Sequence, residues 1–377
     1  MQILDTDMTL ERQMIERAAK AGHPLSGSLE LLPLCNMNCE MCYVRLSPQE
    51  MESKGRLRTA DEWIALAGQM REKGVLFLLL TGGEPLVFPE FKKLYAALLA
   101  MGMIVTINTN GTLIDEQWAD FFAKNKPRRI NLTIYGADER AYRELCHYPG
   151  GYEQAVNGLR LLRERGVDVR VNSSVVKANA EDRFAIPMLA RQHGAAFQVD
   201  SYMLPATRER ERPYNEQARL NPTEAARVRV EMMKLKYGPE QFYAAASAML
   251  YHAAHTPEGE SVPGKMHCQA GRSSFAVTWQ GEMRPCTMLS APSVPVFELG
   301  FSAAWERLKQ DVEQIRLSAY CNRCKLRAVC PSCAACALLE SGSLEGVPAY
   351  ACQYTIETLN ALAAELRAAA QTKKQEY

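Results

Sequence analysis

No stretch of the 377-residue sequence approaches the roughly 18 consecutive apolar residues that a membrane-spanning helix needs. The N-terminal MQILDTDMTLERQMIERAAK is charged and helix-like, without the apolar core of a secretory signal. A surplus of one charge sign is missing as well, since 44 Lys and Arg face 43 Asp and Glu, a net charge of +1. Binding to a phosphate backbone through bulk electrostatics is thereby excluded. Internal repeats are absent. These gaps point to a cytoplasmic chain with neither a membrane nor a nucleic-acid partner. The length predicts two domains, or one large domain with an appendage. A composition of 47% hydrophobic and 23% charged residues fills a sizeable core.

What the sequence has in excess is cysteine, twelve in all. In a reducing compartment so many read as metal ligands rather than disulfides. Three stand at 35, 39 and 42, one alone at 146, and eight between 268 and 352. Even scatter would suit small buried hydrophobes. Two tight groups far apart predict two metal-binding regions.

Between the groups, helix and strand signals alternate. A helix is expected at about 8–21, and SLELLP (28–33) reads as a strand running into the first cysteines. Thr59 and Glu62 resemble a capping box that opens a helix to about 73. VLFLLL (75–80) has the continuous apolar character of a strand buried on both faces. Further strands are expected at 103–108, 130–135, 167–176 and 197–204, with helices at about 89–101, 114–124, 152–165 and 181–193. Six strands with long links argue for a parallel sheet, as an open barrel or a doubly wound sheet, with the ligand site at the strand C-termini. The Arg-rich stretch 205–222 reads as a loop at the mouth of the sheet, followed by helices from about 222 to 252. Beyond a linker near 260 come a hairpin at 274–286 turning at Gln280-Gly281, cysteine-dense irregular chain, and a last helix at about 353–370.

Cys35-x3-Cys39-x2-Cys42-Tyr43 directly follows the first strand. A triplet with no nearby fourth Cys or His leaves one coordination position unfilled, which suits a four-iron cluster with one open iron. A zinc site completed from elsewhere in the chain is the other reading. The spacing, with Met41 before the third cysteine, resembles the hallmark of the radical S-adenosylmethionine (radical SAM) superfamily. Thr81-Gly82-Gly83-Glu84-Pro85, at the end of the second strand, resembles that family's GGEP motif. Its glycines would let backbone approach a ligand, and the carboxylate would accept from an α-ammonium. The resemblance implies an α/β fold, a partial (β/α)6 barrel, whose unique iron binds AdoMet. Reductive cleavage would then yield a 5′-deoxyadenosyl radical that abstracts hydrogen from a substrate C–H bond, with electrons from a reductant such as flavodoxin or ferredoxin. Besides Tyr43, Gly82, Gly83, Glu84 and Pro85, it implies AdoMet contacts from Asn110 in the Thr109-Asn110-Gly111 turn, Thr133 on the fourth strand, and Asn172 and Ser174 on the fifth.

Cys268-x12-Gly281-x4-Cys286, then Cys321-x2-Cys324-x5-Cys330-x2-Cys333-x2-Cys336, then Cys352, resembles the SPASM extension with two auxiliary four-iron clusters. Two structural zincs are the alternative that spacing leaves open. The pattern departs at Ala334, where the fourth central cysteine is expected and Cys333 and Cys336 flank the position. The family's crossed pattern implies an outer cluster on Cys321, Cys324, Cys330 and Cys352. The inner one would take Cys268 and Cys286 with Cys333, Cys336 or both. The expected division is a helical extension over 1–27, a radical SAM barrel over 28–260 and an auxiliary-cluster domain with the last helix over 261–377.

Such proteins most often modify peptides or proteins, so a peptide maturase that crosslinks or otherwise oxidises its substrate is the leading expectation. The first 27 residues are too few for a leader-binding domain, which implies a separate leader-binding protein or a site on the barrel or SPASM region. Radical chemistry on a small metabolite and a non-catalytic metal-binding protein are the alternatives. Thr287 stands where sulfatase maturases of this kind carry an aspartate base, which weighs against formylglycine formation. Cys146 and Tyr202 are candidate catalytic residues. The first could be a hydrogen-atom donor or an inert buried thiol, and the second could line the substrate cavity together with Tyr135. Arg208, Arg210, Arg212 and Arg219, interleaved with Glu209 and Glu211, could engage an acidic substrate segment or form a solvated charged loop.

Overall fold

The computed structural model describes residues 9–205 and 217–375, so Arg208, Arg210, Arg212 and their neighbouring glutamates lie outside the described residues. The chain runs α1 (Thr9–Ala21), β1 (Ser26–Glu30), α2 (Pro48–Lys54), α3 (Ala60–Glu72), β2 (Phe77–Thr81), α4 (Phe91–Ala100) and β3 (Ile104–Thr109). There follow α5 (Glu116–Lys124), β4 (Arg129–Thr133), α6 (Glu139–Glu144), α7 (Gly151–Glu164), β5 (Val169–Ser174), α8 (Ala185–Gln192), β6 (Ala196–Asp200) and α9 (Pro222–His255). The C-terminal part holds β7 (Ser274–Val277), β8 (Glu282–Arg284), β9 (Val294–Pro295), α10 (Val296–Leu299), α11 (Phe301–Glu313), α12 (Ala319–Arg323), α13 (Ala334–Ser341) and α14 (Ala349–Gln375).

Strands β1 to β6 pair in parallel in chain order, which makes the partial (β/α)6 barrel, and β7 adds to the free edge of β1, also in parallel. The hairpin partner β8 and then β9 extend the same sheet with antiparallel pairing. The division expected near 260 therefore does not coincide with a break in the sheet. Gly27 of β1 lies under the Phe275 ring, where an added Cβ would stand 2.5 Å from a ring carbon. Phe275 in turn meets Phe301 and Trp305 of α11 edge-on. This amphipathic helix was expected to be irregular chain, because the cysteines around it hid its apolar stripe of Phe301, Ala304, Trp305, Leu308 and Val312.

Local signals place the other elements. Thr59 and Glu62 form the capping box of α3, and Gly238 with Pro239 breaks α9 into two helical stretches. The expectation that 75–80 is buried on both faces is corrected: Leu78 and Leu80 are buried, while Phe77, Leu79 and Thr81 are only half-buried. The same alternation runs through β3 and β5. One face of the sheet is fully packed, under helices such as α4 with Phe91, Leu94, Tyr95 and Leu98. The other borders the barrel's interior: it carries Phe77, Leu79 and Ile104 on β2 and β3, and the polar Thr106, Asn108, Asn131, Thr133, Arg170, Asn172 and Ser174. Its polar part is what positions the site.

Candidate active site at the strand C-termini

The first three cysteines lie on a strap that leaves β1 and is pinned to the loop after β2. Backbone N–H groups of Gly83 and Glu84 donate to the carbonyls of Leu32 (2.7 Å) and Leu34 (2.9 Å), and Leu31 donates to Thr81 (2.9 Å). The two glycines are needed for this approach. A Cβ on Gly82, whose φ is +142°, would stand 2.5 Å from the Leu32 carbonyl oxygen, and one on Gly83 would stand 2.1 Å from that of Leu34. On the side a Cβ would occupy, their space is filled by the protein's own strap.

Glu84 is fully buried, and its carboxylate accepts three internal hydrogen bonds. Oε1 takes the Leu86 N–H (3.0 Å) and the Thr109 hydroxyl (2.8 Å), and Oε2 takes the Asn110 N–H (2.8 Å). Burial pushes its pKa up to about 7 against these bonds. The side chain thus clamps the end of β3 to the loop after β2. Pro85 opens a buried 3₁₀ turn beside it. Asn110 carries the clamp forward: its Nδ2 donates to Asn36 Oδ1 at 2.9 Å and lies 3.8 Å from Cys35 Sγ. Asn36 Nδ2 donates to the Thr112 hydroxyl at 2.8 Å. Asn36 and Thr112 escaped the sequence reading because only the fold brings two segments about 75 residues apart together.

The strap fits an iron–sulfur cluster. Main-chain N–H groups of Met37 and Arg45 point at Cys35 Sγ (3.4 Å) and Cys42 Sγ (3.2 Å). Burial, the Glu84 charge and the other two thiols all push Cys35 upward, so the three sulfurs stand within electrostatic reach of one another. A metal or cluster would relieve that repulsion by binding them as thiolates. Cys39 shares a hydrogen bond with Cys146, which together with burial raises its pKa well above normal, and a second with Tyr135, which lowers it. Cys146 therefore belongs beside the first cysteine group, a placement invisible in sequence. Its carbonyl accepts the Asn38 N–H at 2.9 Å, and its side chain is closed to solvent within the main core. In the described structure this thiol is buried behind the strap.

On the polar face, strand register sets Thr133 beside Asn172, and Asn172 beside Gln198; Ser174 follows beside Asp200. Thr133, Asn172 and Ser174 are all half-buried at strand C-terminal ends, and Tyr43 is half-buried directly after Cys42. Asn172 Oδ1 accepts from Arg170 Nε at 3.1 Å, and Asn131 Nδ2 donates to Asn108 Oδ1 at 2.8 Å. A cavity of about 740 Å³ runs along β6, the last barrel strand and one edge of the sheet, walled by Arg170, Gln198, Tyr202, Arg229, Lys236 and Tyr354.

The C-terminal thiols separate into two groups by their mutual electrostatics. Cys352, raised to about 11 by burial first, feels Cys330, Cys321 and Cys324. Those four line one cavity of about 460 Å³, which Cys333 also borders. Cys286, also raised chiefly by burial, feels Cys333 and Cys268. Cys336 lies one turn from Cys333 at the start of α13, its N–H directed at Cys333 Sγ (3.4 Å). Among the described residues no three His, Cys, Asp or Glu side chains converge tightly enough to hold a single metal ion. Tyr202 Oη lies 2.7 Å from Cys336 Sγ. Arg219 is no free substrate-binding charge: it pairs with Glu340 at 3.2 Å, both 3% exposed, and covers the Tyr350 ring at 3.9 Å.

Residues 29–184 match the model of the radical SAM superfamily. An AdoMet-dependent heme synthase of Methanosarcina barkeri (strain Fusaro) is 25% identical over 330 residues, 83% of this chain and 92% of that protein. The sporulation killing factor maturation protein SkfB of Bacillus subtilis (strain 168) is 25% identical over 162 residues, 42% of this chain and 38% of its own. Streptococcus suis SuiB bound to its precursor peptide SuiA superposes with a TM-score of 0.67 at 18% identity, covering 94% of this chain and 82% of SuiB, which is a likeness of fold. No helix among the described residues is long and apolar enough to cross a membrane. Cysteine strap, glycine loop and parallel half-barrel agree with the family match: residues 29–184 form a radical SAM domain, the catalytic unit of an enzyme.

Proposed function

We propose that this enzyme is a peptide maturase that oxidises or crosslinks a peptide or protein substrate at a C–H bond. The observation that carries the reading is the cavity along β6. It borders the outer edge of the last barrel strand, and an exposed strand edge recognises an extended main chain. The superposition on SuiB bound to its precursor peptide SuiA supports the same reading. Arg170, Arg229 and Lys236 on the cavity wall, against Asp200 as its one carboxylate among the described residues, suit a segment bearing acidic side chains.

Cys35, Cys39 and Cys42 would hold the AdoMet-binding cluster. Cys268, Cys286, Cys333 and Cys336 would hold an inner auxiliary cluster, and Cys321, Cys324, Cys330 and Cys352 an outer one. Reduced by a flavodoxin or ferredoxin, a cluster held by the first three cysteines would supply the electron for AdoMet cleavage, and the auxiliary clusters would supply an acceptor for electrons removed from substrate. This chain's residues do the rest. Asn36, Asn110 and Thr112 fix the strap, and Glu84 ties it to β3. Thr133, Asn172, Ser174 and Tyr43 offer polar contacts to AdoMet, and the barrel wall shields the radical from water. In this reading 28–260 is the radical SAM unit and 261–377 a SPASM-type unit built onto its β1 edge.

A second reading, a haem-related small-molecule substrate, draws on the heme synthase match, which spans most of both chains. Carboxylates on such a molecule would suit the same cations. Anaerobic turnover separates the two. The maturase reading expects 5′-deoxyadenosine formation to rise with an acidic peptide, with loss of two hydrogen atoms from that peptide. Stimulation by an iron porphyrin and by no peptide would overturn it.

A further inference from the structure

Tyr202 lies two residues beyond β6, where the cavity wall meets the C-terminal thiols. Its ring packs against Tyr350 and Tyr354 of α14, with centroids 5.7 and 5.0 Å away, so its orientation is set by aromatic packing. Its hydroxyl has two neighbours. Cys336 Sγ, fully buried, is at 2.7 Å, and Glu340 Oε1 is at 3.5 Å. The nearer carboxylate oxygen is already held by Arg219 at 3.2 Å in a pair that is almost fully buried. A thiolate that ligates iron has no proton to give, so in the short contact the phenol is the donor.

We propose that Tyr202 is a positioning residue joining the substrate cavity to the inner auxiliary cluster: its ring walls the cavity while its hydroxyl donates to Cys336 Sγ and holds that cluster's reduction potential up. The inference rests on the reading that Cys336 is a ligand of that cluster. Hydrogen bonds to cluster sulfurs stabilise the more negative, reduced state and are one of the protein's main controls on potential. Because the same side chain forms part of the cavity wall, a bound substrate that turned the phenol would change the potential of the cluster that accepts its electron.

The test is an EPR-monitored redox titration of anaerobically reconstituted holoenzyme, wild type and Tyr202→Phe, with iron analysis of both and of Cys336→Ala. Phenylalanine keeps the ring packing and removes only the donor. The expected result is a negative shift confined to one of the two clusters whose signals AdoMet leaves unperturbed, with iron content unchanged. The reduced-to-oxidised ratio at the wild-type midpoint should fall about tenfold, about 59 mV for a one-electron couple. Unchanged midpoints in Tyr202→Phe, while Cys336→Ala loses the inner cluster, would overturn the role of Tyr202 and leave the ligand reading standing. Full iron and an unaltered inner-cluster signal in Cys336→Ala would overturn the ligand reading, and the proposal with it.

Discussion

Glu84→Gln separates a buried clamp from a ligand contact. The wild-type carboxyl is fully buried, and its pKa stands at about 7 against an ordinary 4.5. A carboxyl whose pKa is raised on folding binds its proton more tightly in the folded state, so its stabilisation is full below the unfolded value and is lost as pH rises through the folded one. The whole difference is about 3.4 kcal/mol, and the part lost between pH 5.5 and 7.5 is about 2 kcal/mol. Glutamine has the same shape and no proton to release. Its oxygen can keep the Leu86 and Thr109 donors, but its NH₂ then meets the Asn110 N–H, leaving donors unpaired at roughly 1–3 kcal/mol each. Urea unfolding of both proteins, held anaerobic at pH 5.5, 6.5 and 7.5, should show the variant most destabilised at pH 5.5, the gap closing by about 2 kcal/mol at pH 7.5. Parallel pH curves would refute the burial argument. Unchanged stability with a tenfold loss of AdoMet affinity would show instead that the carboxylate contacts the ligand.

Gly83→Ala should displace the strap, since the new Cβ would lie 2.1 Å from the Leu34 carbonyl, and iron analysis should show about four irons lost per chain. Gly68→Ala in α3, where an added Cβ meets nothing within 4 Å, should instead raise the midpoint of thermal unfolding, gaining about 0.5–1 kcal/mol. Replacing Cys35, Cys39 and Cys42 together with Ala should abolish 5′-deoxyadenosine formation and leave about eight of twelve irons; persistent cleavage would move the AdoMet site elsewhere. Arg219→Met should strand the Glu340 carboxylate in the core and cost about 3–5 kcal/mol in denaturant unfolding, with most of the loss recovered in Arg219→Met/Glu340→Leu.

Periodicity was enough to place the six barrel strands and most of their helices within a few residues, because apolar spacing reports the packed face of each element directly. It failed at 301–313, where the surrounding cysteines disguised an ordinary amphipathic helix. It also misjudged β2, because an apolar run looks the same whether one face or both are covered. The family, the cofactor chemistry and the cysteine groups were legible because ligand spacing along the chain is a local property.

The sequence alone determined an α/β half-barrel, an open-iron cysteine triplet and an unusual donor set around Ala334. Tertiary structure decided which groups meet. It packed the glycines and Glu84 into the clamp that holds the cysteine strap, and it seated Cys146 against Cys39. It also buried Arg219 against Glu340 and set the Tyr202 hydroxyl on Cys336. Each of these pairs is remote in sequence, and no local pattern encodes a hydrogen bond between segments that only the closed sheet brings together.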